Sequence, residues 1–325
     1  MNEQNPIDAL STERDLPGDR HRQIREQVMT RIDQDLQPAR RRVSRRWVLA
    51  GAALAVVAAV GAGVVTLAGG AKDPAPEVAA PPMSEVAHIF ESAAAHAQAA
   101  VFTPPRPDQW LYIEDQSHNT GPISRAKGMR PEVNSRNWFK ADGTQWASSE
   151  NGEPIHVQAV SHDRVTWPKA DYPSLVSLPT DPAVLLAKLK ADQAASVVGT
   201  PIGIGDADAA AYRTIIGLMG NYLPPPDVTA ALLRAAALIP GVTQEPVEVE
   251  GRQLIALGLL VAQDGVIDQL LLEPGSYAVV GARELYPADA TIPFGDSTIE
   301  VKKGEVEALS LRLASGVVDN YGDTL

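Results

Sequence analysis

From Trp47 to Ala68 the chain runs for 22 residues without a charge, and five arginines, Arg40, Arg41, Arg42, Arg45 and Arg46, lead into that run. At about 1.5 Å of rise per residue it makes a helix of roughly 33 Å, enough to cross a hydrocarbon core about 30 Å thick. A helix in a soluble core is seldom apolar on every side for such a length. The run therefore predicts a transmembrane helix over 47–68, with Trp47 at the membrane border and the lipid bilayer as its partner. The arginines place the N-terminal side in the cytoplasm by the positive-inside bias, so the long C-terminal remainder is expected outside.

The span divides the charge unevenly. Residues 1–46 hold ten arginines and eight acids, a net of +2, which leaves −14 for the rest of a chain whose total is −12. An acidic outer domain is a poor partner for nucleic acid or anionic lipid headgroups. The chain has no cysteine, which excludes disulfides, thiolate metal sites and cysteine nucleophiles together. The outer domain must be held by a hydrophobic core alone.

In the head, Ile24, Val28, Ile32 and Leu36 recur every four residues among charged neighbours, with Asp19 placed to cap and Pro38 to stop the helix. This predicts an amphipathic helix over 19–37. A lone helix of that length is marginal in water unless its apolar stripe finds a partner. Either a cytoplasmic protein or the inner membrane face would serve. Ser44-Arg45-Arg46-Trp47-Val48-Leu49 also resembles a twin-arginine export signal, although the preceding segment is long and the apolar run exceeds a cleavable signal's usual length. Permanent anchor and cleaved signal therefore both stand, the anchor fitting the run length better. Gly51, Ala55, Ala59 and Gly63 form a row of small residues that would admit a second span.

Pro74, Pro76, Pro81 and Pro82 mark residues 69–83 as a linker. The outer domain, 84–325, opens with a helix capped by Ser84 whose face carries Val86, Ile89, Phe90, Ala93, Ala97 and Val101. Strands follow: Trp110–Ile113, a hairpin over Val133–Ser149 turning at Asp142-Gly143, Ile155–Val160 and Val165–Trp167. Trp110, Trp138, Trp146 and Trp167 are thereby gathered in one β section. They read either as ordinary cross-strand packing or as the lining of a cavity for an apolar ligand. Three helices are expected next, over 181–198, 207–222 and 227–239, with Asp181 and Asp227 as caps. From Val242 onward short Gly-containing turns join the strands, so these must run antiparallel as a meander. Leu270, Leu271 and Leu272 are consecutive, which requires cover on both faces of that strand.

Chemistry is sparse. There is no Gly-x-Ser-x-Gly, no Walker loop and no His-Glu-x-x-His. His88 and Glu91 share a helix side but have no third ligand at a recognisable spacing. Gly203-Ile-Gly205 lacks the third glycine and the βαβ context of a dinucleotide loop. No catalysis, cofactor or metal is expected.

The element order, a helix, Trp-rich strands, an inserted helical block and a long meander, resembles an open antiparallel half-barrel with helices against its concave face. Periplasmic lipoprotein carriers, mycobacterial lipid-carrying lipoproteins and periplasmic regulators of anti-sigma-factor proteolysis have that architecture. The whole chain resembles an actinobacterial family of single-pass membrane proteins typically encoded beside extracytoplasmic-function sigma factors. The residues that carry this likeness are the arginine-ended head, the span, Gln109-Trp-Leu-Tyr-Ile113, Tyr172-Pro-Ser-Leu175 and Gly241-Val242. The expected class is α+β: amphipathic helix, transmembrane helix, then half-barrel with a helical block. The resemblance implies a membrane-anchored sensor or regulator, with a sigma factor as the partner of the head helix. The alternatives are a tethered carrier of a lipid or other apolar ligand, and a structural envelope protein.

Overall fold

The computed structural model describes residues 84–160, 171–196 and 206–325. The head with Ile24, Val28, Ile32 and Leu36, the arginines from Arg40 to Arg46, the run from Trp47 to Ala68, the linker and Trp167 lie outside the described residues. Among the described residues, no helix is long and apolar enough to cross a membrane.

Helix α1 (Glu85–Gln98) starts where the Ser84 hydroxyl accepts from the Ala87 amide at 3.2 Å. Ile89, Phe90, Ala93 and Ala94 form its buried stripe, whereas Val101, expected on that face, lies beyond the helix end and is 101% exposed. The β section comprises β1 (Trp110–His118), a short α2 (Pro122–Ala126), β2 (Glu132–Lys140), β3 (Gln145–Glu150) and β4 (His156–Ala159). Asp142 sets the β2–β3 turn by accepting from the Thr144 amide at 2.9 Å, beside Gly143 at φ 74°. The helical block comprises α3 (Tyr172–Val176), α4 (Pro182–Ser196), α5 (Ala207–Asn221) and α6 (Pro226–Ala237). Asp181 caps α4 as expected, accepting from Val184 N at 2.9 Å. Asp227 is not the cap of α6: Pro225 occupies the N-cap and Pro226 begins the helix, where a missing N–H costs nothing.

The second strand run is β5 (Thr243–Val249), β6 (Arg252–Val261), β7 (Val266–Leu272), β8 (Val279–Leu285), the hairpin β9 (Ala290–Phe294) and β10 (Ser297–Val301), and β11 (Val306–Val318). Nine strands make one open antiparallel sheet in the order β4-β3-β2-β1-β11-β8-β7-β6-β5, giving a mixed α+β domain. The last strand extends the meander by pairing with β8. It enters the middle of the sheet and joins the Trp-rich strands to the meander.

The two sheet faces bury different cores. Leu257, Leu259, Val261, Leu270 and Leu272 pack with the helices, against Phe90, Tyr212, Leu232 and Leu233. On the opposite face Val249, Leu254, Ala256, Leu271 and Leu311 form a second cluster. The three consecutive leucines are covered on both sides, as their lost alternation requires. Nε2 of His118, at the end of β1, lies 2.7 Å from Oε1 of Glu250 in the β5–β6 turn, although β11, β8 and β7 separate β1 from β6 in the sheet. Gly281 permits the close approach of β8 and β11, since a Cβ there would stand 2.2 Å from the Ser310 carbonyl oxygen.

Candidate functional site

A cavity of about 620 Å³ lies between the helices and the middle of the sheet. That volume falls within the ordinary range for small-molecule sites. Its helical wall is mostly apolar: Ala93 and Ala97 of α1 and Ala100 just past its end, Ile216, Gly217 and Met219 of α5, and Leu233 of α6, with His96 of α1 among the polar exceptions. The alanines and glycine explain the empty space, because short side chains hold helix and sheet apart without filling the gap. α1 is fixed against α6 by a two-pronged pair in which Arg234 donates to both oxygens of Glu91, at 2.9 and 2.7 Å. His88, the other half of the pair weighed as a metal site, is exposed, and no group of three or more candidate metal-binding side chains occurs among the described residues.

The sheet side of the cavity is charged. Arg213 of α5 makes a fork to Asp268 of β7, with Nε to Oδ2 at 2.7 Å and Nη2 to Oδ1 at 3.1 Å, and Nη1 reaches Asp264. Asp268 is 3% exposed, and the fork supplies the hydrogen-bonded partner that a buried carboxylate requires. Burial disfavours the charge on Arg213, but the hydrogen bonds and charge of Asp268, followed by Asp264, more than offset it. Glu284 of β8 stands directly across the strand pair from Asp268. Burial and then the neighbouring Asp268 push the Glu284 carboxyl above its ordinary range, against the attraction of Arg213.

A second guanidinium closes the other end. Arg312 of β11 donates to Asp115 of β1 at 2.8 Å and to the carbonyl oxygens of Met219 and Gly220. Those carbonyls lie in the last turn of α5, where helical partners run out and a cation is favoured. Burial raises the Asp115 carboxyl, and Arg312 works against that rise. A β-bulge aligns the pair: the β1–β11 register changes between Glu114 and Asp115, leaving Leu313 as the extra residue, 54% exposed.

The tryptophans weighed as a lining are divided by the sheet. Trp110 and Trp138 lie with Tyr112 on the face away from the helices. There the edge of one ring of the Trp110–Tyr321 pair meets the other at a centroid distance of 5.4 Å, and Trp138 Nε1 donates to the Asp323 carbonyl at 2.8 Å. Trp146 lies on the helix side, stacked on Phe139, which in turn touches Tyr222 on the cavity wall. None of the three is among the residues lining this cavity.

Sequence reasoning missed Arg213, Asp268, Glu284, Arg312 and Asp115. One signal was readable: Asp268 interrupts Val-Ile-Asp-Gln-Leu-Leu-Leu, a strand expected to be covered on both faces, and a buried carboxylate there demands a cationic partner.

No family model matches the chain, and no curated protein matches it. Among solved structures, the chain is similar to one in the MucA/MucB complex of Pseudomonas aeruginosa. Identity is 9% and the TM-score 0.27, with 72% of this chain and 57% of that chain covered. The chain thus spans under two thirds of the solved chain's length, and a likeness this loose carries no argument about either fold or function.

Proposed function

We propose that the protein is a membrane-anchored regulator whose outer domain binds an apolar or amphipathic ligand between its helices and its sheet. The observation that carries this reading is the cavity of about 620 Å³, with small apolar residues along one wall. Anchoring through 47–68, an extracytoplasmic outer domain and a half-barrel with carrier-like use of its interior rest on the sequence pattern. So does the reporting role of the head: Ile24, Val28, Ile32 and Leu36 form a stripe that needs a partner, and a sigma factor is the partner we propose. Under this reading the ligand alters the outer domain, and the span couples it to the head.

The test uses the full chain in lipid nanodiscs with two readouts. Met219 lines the cavity, so its ¹³C-labelled methyl resonance, assigned with Met219→Leu, should shift saturably with octanol. Absence of a shift at any octanol concentration sinks the ligand reading. Retention of the cognate sigma factor should be lost on changing Ile24, Val28 and Ile32 to Ser, and unchanged retention sinks the reporting role.

A further inference from the structure

Two guanidiniums border the cavity, those of Arg213 and Arg312, and each already has acceptors. Arg213 is shared by Asp268 and Asp264, and Arg312 holds Asp115 and the end of α5. The Arg283 side chain, one residue before Glu284 in β8, is turned to the opposite face, where it donates to Gln269 and lies 3.7 Å from Glu245. No positive charge is left over on this wall for an anionic group. The carboxylates are in excess around Arg213, where Asp264, Asp268 and Glu284 compete for one guanidinium. Asp268 takes the fork. Glu284 faces it from the neighbouring strand as a like charge, an arrangement that is unfavourable until a second cation arrives.

The cavity therefore has two ends of different chemistry. The α1 and α5 wall offers Ala97, Ile216 and other small apolar groups, and the β7–β8 wall offers a carboxylate in need of a donor. We infer that the cavity selects amphiphiles with a cationic, hydrogen-donating head such as an amine, placing the head at Glu284 beside Asp268 and the apolar body along α1 and α5. This rests on the ligand-binding reading above and adds the chemical class of the ligand. Anionic amphiphiles are disfavoured at the same place, because they would meet Asp268 and Glu284 with every nearby arginine engaged.

The experiment is a titration of the full chain in nanodiscs, following the Met219 methyl, with octylamine, octanol and octanoate, which share one tail length. Octylamine should bind about tenfold or more tightly than octanol, the scale of one charge-assisted hydrogen bond, and octanoate more weakly than octanol. In Glu284→Gln the preference for the amine should fall to about twofold or less while octanol still binds, which also shows that the variant folds. Equal binding of the three probes by the wild type, or an amine preference intact in Glu284→Gln, overturns the inference while leaving the cavity reading in place. If none of the probes shifts Met219, the cavity reading itself is lost and the inference with it.

Discussion

The two faces of the nine-stranded sheet are made by alternate residues of the same strands, yet they are built to different ends. The face away from the helices is packed with Leu254, Ala256, Leu271 and Leu311 and is further covered by aromatic rings and the segment from Asp319 to Leu325. The helix face buries more residues but retains a cavity, and two arginine–aspartate pairs cross it. Burying such charges is seldom the most stable use of an interior, since well-packed apolar groups often do as well. The comparison teaches where to look for function: the filled face holds the strands together, and the face that keeps a cavity is the one able to accept something.

The largest effect that would break this contrast comes from two neighbouring leucines. Leu271 is fully buried on the filled face, and Leu270 lines the cavity. Leu271→Ala should cost about 3–4 kcal/mol, because its surroundings are complete and collapse only partly into the hole. Leu270→Ala should cost about 2 kcal/mol, since part of its surface already faces empty space. Urea unfolding of the two variants measures the difference. An equal or reversed order would mean that the cavity is closed in solution. Only Leu270→Ala should alter the binding of an alkyl probe.

A smaller effect separates the faces by pH. On the filled face, the Tyr112 hydroxyl donates to Glu114 at 2.7 Å and holds its carboxyl below the usual range; Arg136 adds to this against the opposing pull of burial. A depressed carboxylate contributes stability above its unfolded value, about pH 4.3, and loses it as pH falls through the folded value. Glu284 has the opposite sign, since burial raises it. Its contribution is complete below about pH 4.3 and is lost as pH rises through the raised folded value. At neutral pH, Glu114→Gln should therefore lose about 1 kcal/mol, the net scale of a partly exposed charged hydrogen bond. Glu284→Gln should gain up to about 1 kcal/mol by removing a like charge opposite Asp268. Both differences should vanish in acid. Unfolding free energies measured across pH 3–8 (roughly the window that spans both carboxylates) check the signs, and two differences of the same sign would refute the contrast.

How far the sequence could be read follows the same division. Local signals were legible: the Ser84 and Asp181 caps, the Asp142-Gly143 turn and the doubly covered leucines all stand in the structure. Local pattern does not specify which distant strands become neighbours. Val306–Ala314 read as an extension of the meander, and β11 does pair with β8, but nothing within it shows that its other neighbour is β1, almost two hundred residues away. The site depends on that placement. Asp115 and Arg312 meet only because β11 enters the middle of the sheet and carries a bulge there. Clustering of the tryptophans in sequence was likewise readable, but their faces depend on register, which places Trp138 opposite Tyr112 and Trp146 opposite Phe139.

The smallest effect concerns what keeps the filled face closed around the tryptophans. Tyr321 is about half exposed and sits edge-on to Trp110, while the following turn brings the Asp323 carbonyl to the Trp138 indole N–H. The covering segment is tied down at its start by Asp319, which accepts from Gln109 at 2.9 Å and from Arg106 at 3.3 Å. An aromatic pair of this geometry contributes about 0.5–1 kcal/mol, and half-exposure puts Tyr321→Ala at the low end. The local consequence should exceed the global one. Trp110, now 5% exposed, would be uncovered, so acrylamide quenching of tryptophan fluorescence should rise while the unfolding midpoint barely moves. Met219, on the other side of the sheet, should keep its response to alkyl probes, because the variant alters only the opposite face. Unchanged quenching would show that Trp110 is covered without Tyr321, and a changed Met219 response would show that the two faces are coupled through the sheet rather than separated by it.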